Sequence, residues 1–506
     1  MQQTPHVVLL TVDCWRYDRC GFNGYARPTT PVLDGLAGES LVFDRAFASG
    51  SITAGSFPGI LAGHHSHNAS VNSQHPQTQV QGIPAGSATL ASHLRDHGYR
   101  TVATVTNAHL LPSLNFDVGF DEFRNVEVTG DDGDGKREAG TGGGESGSDD
   151  ESEAKATPFR GKQMGSLFQD LRGRLRTKST ASPLRNPYVL PFVAYRYSQL
   201  RDWPSPSAET VVDAFTRQLD AAFDAEGPVF AWTHLMDLHA PIHPVQVNAG
   251  GLTTVSRYEA FRYDAERLCN VYSSGYNAMY DSVVRYVDGQ IAAVVDYLEA
   301  RGVWDNTVLV VTGDHGEALF DRGFYGHPAH YMYDELLHVP LLVRTPARVG
   351  RRVDGPFSLA WLHELLADVT GVARGPFPAT SGRTSHVTAE GDADAVVVAD
   401  ALDDCGHSIV VRNAEWKYWR VGSTLSEWSY IDLDEAPTDW DWTTEGTGFR
   451  TDSDRTERHP VPGSVVPESL PAHADAVETT NGARPTLRVE YDYDVEDRLR
   501  QLGYQT

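Results

Sequence analysis

Apolar residues fall into two rhythms along this chain. Residues 6–12 (HVVLLTV) form an unbroken apolar run that stops at Asp13, and residues 307–312 (TVLVVT) form a second that stops at Gly313-Asp314-His315. Short runs without polar alternation predict strands covered on both faces. Further strands are expected at 100–106, 228–233 and 340–344. Between them, 86–97 and 276–300 place apolar residues at helical spacing. Strands alternating with helices predict an α/β fold with a mostly parallel sheet flanked by helices. Reactive groups in such sheets gather at the carboxyl ends of the strands. Asp13, Asp314, and His234 with Asp237 are all placed that way.

Two stretches break the pattern. Residues 129–155 (TGDDGDGKREAGTGGGESGSDDESEAK) hold no large apolar residue and predict an acidic, disordered insertion. A basic stretch follows at 160–178, with apolar residues between its charges. It reads as an ordinary amphipathic helix or lid edge, with a membrane-surface or anion-binding helix as the alternative. The whole of 129–185 is therefore an insertion in a catalytic domain spanning 1–384. From 385 onward AVVVAD, HSIVVRNAEWKYWRVG and SYIDLD predict a smaller β-rich C-terminal subdomain, α+β over 385–506. Its tail, 457–490, is acidic and punctuated by prolines.

Charge narrows the partners. The chain has 506 residues, with 68 acidic and 42 basic side chains and a net charge of −26. That excess repels nucleic-acid phosphates and excludes a nucleic-acid partner. It also suits solubility in high salt, a halophile-type surface. Four scattered cysteines (Cys14, Cys20, Cys269, Cys405) form no disulfide framework and match no common zinc or redox spacing. The N-terminus shows no charged, cleavable leader, and no run reaches the roughly 18 apolar residues of a membrane span. A soluble, cytoplasmic protein is the expectation.

Candidate chemistry sits in five segments. Asp13 ends a buried strand, where a carboxylate must be solvated, paired or bound to a cation. Asp314-His315-Gly316-Glu317 offers adjacent oxygen and nitrogen ligands; with Asp13 these suit Mn²⁺, Zn²⁺, Mg²⁺ or Ca²⁺, a single divalent ion of open identity. Residues 53–63 (TAGSFPGILAG) open a helix with a hydroxyl, either Thr53 or Ser56, where helix amides and a cation would favour an oxygen nucleophile. Simple N-capping is the alternative. His234, Asp237 and His239 crowd 232–241, and His327 with His330 occupy 326–340.

Taken in order, these segments resemble the sulfatase family of the alkaline phosphatase superfamily. The resemblance covers roughly 1–125 and 205–370. It rests on T-V-D-x-x-R-x-D with TTPVLDGLA, the helix segment closing in I-L-A-G, M-D-x-H-x-P, D-N-T-V-L-V-V-T-G-D-H-G-E and Y-D-E-L-L-H-V-P-L-L-V-R. The closing V-E-D-R-L-R-Q-L-G-Y is similar to a common family ending. The resemblance implies an alkaline phosphatase-like fold and metal ligation by Asp13, Asp314, His315 and Thr53. It implies catalytic roles for Thr53, His239 and His330, and substrate contacts from His239, His327, His330 and Asn107, with His109 beside it.

Departures are as informative. The family's C-x-P-S-R reads T-A-G-S-F here. Threonine at 53 cannot be converted to formylglycine, so a direct alkoxide nucleophile replaces the aldehyde-hydrate route. The expected arginine is Phe57, and the expected second aspartate is Cys14. The resulting expectation is metal-dependent hydrolysis of a sulfate ester on a small molecule or glycan. A phosphodiesterase, phosphonate monoester hydrolase or phosphoryl transferase is the alternative. A catalytically silent anion- or glycan-binding protein is the second.

Overall fold

In the computed structural model of the chain, eight strands build one central sheet. They are β1 (His6–Val12), β2 (Ser40–Phe43), β3 (Arg100–Val105), β4 (Glu122–Asn125), β5 (Val229–Leu235), β6 (Thr307–Gly313), β7 (Leu341–Arg344) and β8 (Arg351–Val353), in the order β8-β2-β7-β6-β1-β5-β3-β4. Only β7 runs against the rest; the neighbouring pairs that exclude it are parallel. The structure describes residues 4–72, 80–126, 205–387, 395–403, 406–421, 445–451, 457, 459–480 and 484–487. The acidic 129–155 stretch, the basic 160–178 stretch, SYIDLD, Cys405 and the closing V-E-D-R-L-R-Q-L-G-Y lie outside them.

β1 shows why its apolar run is unbroken. Val7 and Leu9 join the core layer containing Phe57 and Ile60 of helix α1 (Thr53–Ala62). Val8, Leu10 and Val12 join the opposite layer, with Phe215 of α3 (Ala208–Phe223) and Val287 of α4 (Ser274–Ala300). Alternate side chains thus enter two dry cores, and the one polar residue inside the run, Thr11, is buried with its hydroxyl bonded to Thr233 O and to the Trp232 indole N–H. Helices α2 (Leu90–Asp96) and α5 (Leu362–Thr370) complete the α1 side, through Leu90, Leu94 and Leu365. The 86–97 pattern forms helix only from Leu90. Thr89 caps it, its side chain accepting from the Ser92 N–H while Ser92 reciprocates, so the preceding residues are fixed outside the helix.

A second, five-stranded sheet follows: β9 (Val397–Asp403), β10 (Gly406–Arg412), β11 (Trp416–Arg420), β12 (Thr447–Arg450) and β13 (Val461–Pro462), paired antiparallel in chain order. HSIVVRNAEWKYWRVG therefore makes two strands around a turn at Asn413, whose side chain accepts from the N–H groups of Glu415 and Trp416. The sheet shares the main core through Ala399, Ala401, Val410, Trp419 and Phe449. Its other face, Ile409, Val411 and Tyr418, packs on Leu470 and Ala474 of α6 (Ser469–Thr479). Among the described residues no helix is long and apolar enough to cross a membrane. Cys14, Cys20 and Cys269 are free thiols.

Candidate active site

Sheet register places the candidate residues on one face. Val12 lies opposite Gly313, and Thr11 opposite His234. The ladder runs one step past the strand ends, where the Asp13 N–H donates to Leu235 O (2.9 Å) and the Asp314 N–H to Val12 O (3.2 Å). Because side chains alternate, Asp13, Asp314 and His234 all emerge on the face that α1 covers. Thr53 is the first residue of α1. Its hydroxyl does no capping, and the residue before it, Ile52, makes no side-chain cap. Thr53 Oγ1 instead donates to Asp13 Oδ2 (3.1 Å) and lies 3.3 Å from His315 Nε2. Ser56, the other candidate hydroxyl, is turned away and donates to the Asp314 carbonyl (2.6 Å). It fastens α1 to the Asp314 loop.

Six donor side chains meet here. The Asp13, His234 and Asp314 ligand atoms cluster within 4.8 Å of one another, as do those of Cys14, His315 and His327. His315 bridges the groups, with Nε2 3.8 Å from Asp13 Oδ1 and 3.7 Å from Asp314 Oδ2. Its tautomer is fixed: Nδ1–H donates to Gly316 O (2.8 Å), so Nε2 carries the lone pair that ligation needs. The glycine at 316 is required by space, since a Cβ there would lie 2.1 Å from Glu335 O. Cys14 Sγ donates to Asp13 Oδ1 (2.7 Å) and lies 3.6 Å from His327 Nδ1. Asn107, just past β3, reaches within 3.5 Å of Asp13 Oδ2, and its Oδ1 accepts from the His109 N–H (2.8 Å).

The electrostatics ask for a cation. Asp13 and Asp314 are both fully buried. Burial pushes the Asp314 carboxyl well above its usual range, and the neighbouring Asp13 pushes it further. For Asp13 burial acts the same way, but His234, His239 and His315 outweigh it and hold the carboxyl low. Two carboxylates sharing one dry site cannot both ionise without a counter-charge. Among the described residues Asp314 Oδ2 has no hydrogen-bond partner, so it has a lone pair to give, and His234 Nε2 lies 3.7 Å from Asp13 Oδ2. Burial lowers His315 to about 4, which keeps its imidazole neutral and ready to ligate. Burial and the nearby Asp13 push the Cys14 thiol well up. The donor set fits one divalent ion.

Around the donors sit further titratable side chains, most of them buried. His327 Nδ1 and Glu317 Oε2 are 2.5 Å apart. Burial opposes a charge on His327, but Glu317 outweighs it and raises the imidazole above its ordinary value. Glu317 is held low by the same pair against its own burial. His239 packs edge-on to His327 at 5.1 Å and donates from Nδ1 to Ala240 O (2.8 Å); burial lowers it to about 4. His330 is not brought to this cluster. Its Nε2 meets Asp403 (2.7 Å) and its Nδ1 meets Ser408 (3.1 Å), both on the C-terminal sheet. Asp237 also stands apart: burial pushes it up to about 7, offset by the Ala208 N–H at the start of α3. Phe57 fills the expected arginine's position with an apolar ring, edge-on to His234 at 4.8 Å. Arg16 of the T-V-D-x-x-R-x-D segment is nearly buried and binds Asp18, Asp321 and Glu317 O, pinning the Asp314 loop to the end of β1. The Glu317 partnership was readable only as an acid following D-H-G.

A family model for sulfatases matches residues 5–372. Among curated relatives, arylsulfatase K of Danio rerio is 29% identical over 157 residues, 31% of this chain and 26% of that protein. An N-acetylglucosamine-6-O-sulfatase of Bacteroides thetaiotaomicron is 25% identical over 171 residues, 31% of this chain and 30% of that protein. The chain thus spans under a third of the length of either. Among solved structures, the phosphonate monoester hydrolase of Agrobacterium radiobacter is similar at a TM-score of 0.56 and 17% identity, over 94% of this chain and 95% of that one. The 2-O GAG sulfatase BT1596 is similar at 0.57 and 14%, over 98% and 96%. These likenesses establish a shared fold.

Proposed function

The chain belongs to the sulfatase family, and from that premise we propose that it hydrolyses sulfate esters of a small molecule or glycan, using a divalent metal and Thr53 as nucleophile. One observation carries the reading. A hydroxyl at the start of a helix points into a buried cluster of two carboxylates and an imidazole instead of capping its own helix. Asp13, Asp314 and His315 would hold the ion, and the Thr53 hydroxyl lies against Asp13 and His315. Cys14 and His234 would add sulfur and nitrogen donors, which favours Zn²⁺ over Mn²⁺, Ca²⁺ or Mg²⁺. When bound, the ion supplies Lewis-acid charge for an ester oxygen and lowers the pKa of the Thr53 hydroxyl.

The side chains then divide the work. Thr53 releases its proton toward Asp13 Oδ2, and its oxygen bonds to sulfur as the bond to the leaving alcohol breaks. His327, kept protonated by Glu317, gives that alcohol its proton. Asn107 contacts the transferring group. Water then attacks the Thr53-bound ester; neutral His239 accepts its proton, and the Thr53 oxygen departs, taking back the proton held by Asp13 Oδ2.

The assay is a matched panel of aryl sulfate, phosphate diester and phosphonate ester with the metal-loaded full chain. Metal-dependent turnover led by the sulfate ester supports the proposal. Turnover led by the phosphonate or phosphodiester selects the second reading. Threonine at 53 favours that reading, because an alkoxide needs no aldehyde, and so does the likeness to a phosphonate monoester hydrolase. Bound metal without turnover of any ester would overturn both and leave an anion- or glycan-binding protein.

The proton donor has a pH signature. His327 has a raised folded-state pKa, so its protonated form persists above the usual 6.5 and is lost as pH climbs through the raised value. Activity therefore falls on the alkaline side. Glu317→Gln removes the charge that raises it, and the alkaline limb of kcat/KM is expected to move to lower pH. An unmoved limb would take the proton-donor role away from His327.

A further inference from the structure

A second cluster of ligating side chains lies outside the site just described. The chain leaves α1 through Gly63-His64-His65-Ser66-His67-Asn68 and meets the first hairpin of the C-terminal sheet. Register on that hairpin pairs Asp400 with Ile409 and Leu402 with His407. Asp400 of β9 and His407 of β10 thereby come together, and the chain after α1 brings His67 to them. Asp400 Oδ2 lies 2.8 Å from His67 Nδ1 and 2.9 Å from His407 Nε2. All three ligand atoms fall within 4.8 Å of one another.

The surroundings suit an ion better than a bare pair. Asp400 is fully buried, and the two side chains facing it are nearly so. Backbone N–H groups of Ser66 (2.8 Å) and His67 (3.0 Å) orient its two oxygens, as second-shell donors orient a ligating carboxylate. His65 stacks on His67 at 5.7 Å and backs its ring beside Asp400. Two imidazoles and one carboxylate, completed by water, are the nitrogen and oxygen donors of a four-coordinate borderline ion. Metal–nitrogen arms of about 2.0–2.1 Å would hold donors roughly 3.3 Å apart, so the present contacts need open by only about half an ångström.

We propose that His67, Asp400 and His407 form a second metal site for Zn²⁺ or a similar transition ion, with water as fourth ligand. The ion clips the segment leaving the Thr53 helix to β9 and β10, and so fastens the C-terminal sheet to the element that carries the nucleophile. Nothing in this assignment depends on the reaction proposed above.

The test counts bound zinc on the full chain, stripped with chelator, reloaded and desalted, for wild type and for the double variant His67→Gln, His407→Gln. Glutamine keeps a hydrogen bond to Asp400 but is a poor zinc ligand. The variant is expected to bind one equivalent fewer, whatever the Asp13 site holds. Zinc should also raise the melting temperature of wild type by a few degrees more than that of the variant. Equal zinc in both folded proteins overturns the site. Should the variant fail to fold, crystals of wild type grown with zinc decide the matter by anomalous scattering. A peak between His67, Asp400 and His407 supports the site, and its absence overturns it.

Discussion

Thr53→Ala is expected to lower kcat/KM by about 10⁴-fold or more while leaving the fold and most of the metal binding in place. The reason is local. Among the described residues Thr53 Oγ1 has only Asp13 and His315 as hydrogen-bonding partners, and the rest of α1 is held by the core through Phe57, Ile60 and Leu61. Losing the hydroxyl removes one buried hydrogen bond, a cost of about 1 kcal/mol. The reaction, by contrast, loses the atom that forms the covalent bond. Thr53→Ser restores that atom without the β-branch that fixes its rotamer, so it should recover most of the rate. Ser56→Ala should act differently, loosening the Asp314 loop instead of removing chemistry, because its hydroxyl is committed to the Asp314 carbonyl. Rapid quenching followed by peptide mass spectrometry should find one sulfo or phosphoryl group on Thr53. Turnover near the wild-type level in Thr53→Ala would remove Thr53 from the chemistry.

Much of this arrangement is legible in the sequence because it is local. Asp13 and Asp314 follow continuous apolar runs, and two such runs in a parallel sheet end side by side. Thr53 opens a helix whose glycines and small residues let it lie close to the chain; a Cβ at Gly59 would meet Ser49 Oγ at 2.2 Å. Long-range register was not legible. His330 lies three residues beyond His327 in the sequence, yet it turns to Asp403 and Ser408, because the C-terminal sheet packs over that side. Nothing local distinguishes it from its neighbour. The same limit hid His67, Asp400 and His407, whose meeting depends on a contact across 333 residues and on the pairing of one hairpin. β2, β4 and β8 are not among the expected strands, because all three are short and lie at the two ends of the sheet.

Asp314→Asn should separate the site's stability from its function. In metal-free protein the Asp314 carboxyl is held well above its usual range by burial and by Asp13. A group with a raised folded pKa gives its full stability below the unfolded pKa, near 4, and loses it as pH rises through the folded value. Metal-free wild type should therefore weaken as pH climbs from about 4. Asparagine carries no charge to desolvate, so the variant should lack that slope and be more stable near neutrality by about 1–3 kcal/mol. Adding metal reverses the order. Wild type gains RT ln(1 + [M]/Kd), about 4 kcal/mol at a thousandfold excess over Kd. The variant, missing one of its two carboxylate ligands, gains far less and loses turnover by on the order of 10³-fold. Melting curves of both proteins, with chelator and with zinc or manganese, from pH 5 to 8, would show the crossing. A variant that is less stable than wild type even in chelator would mean that Asp314 is held by partners within the fold, and the case for a cation at Asp13, Asp314 and His315 would fail with it.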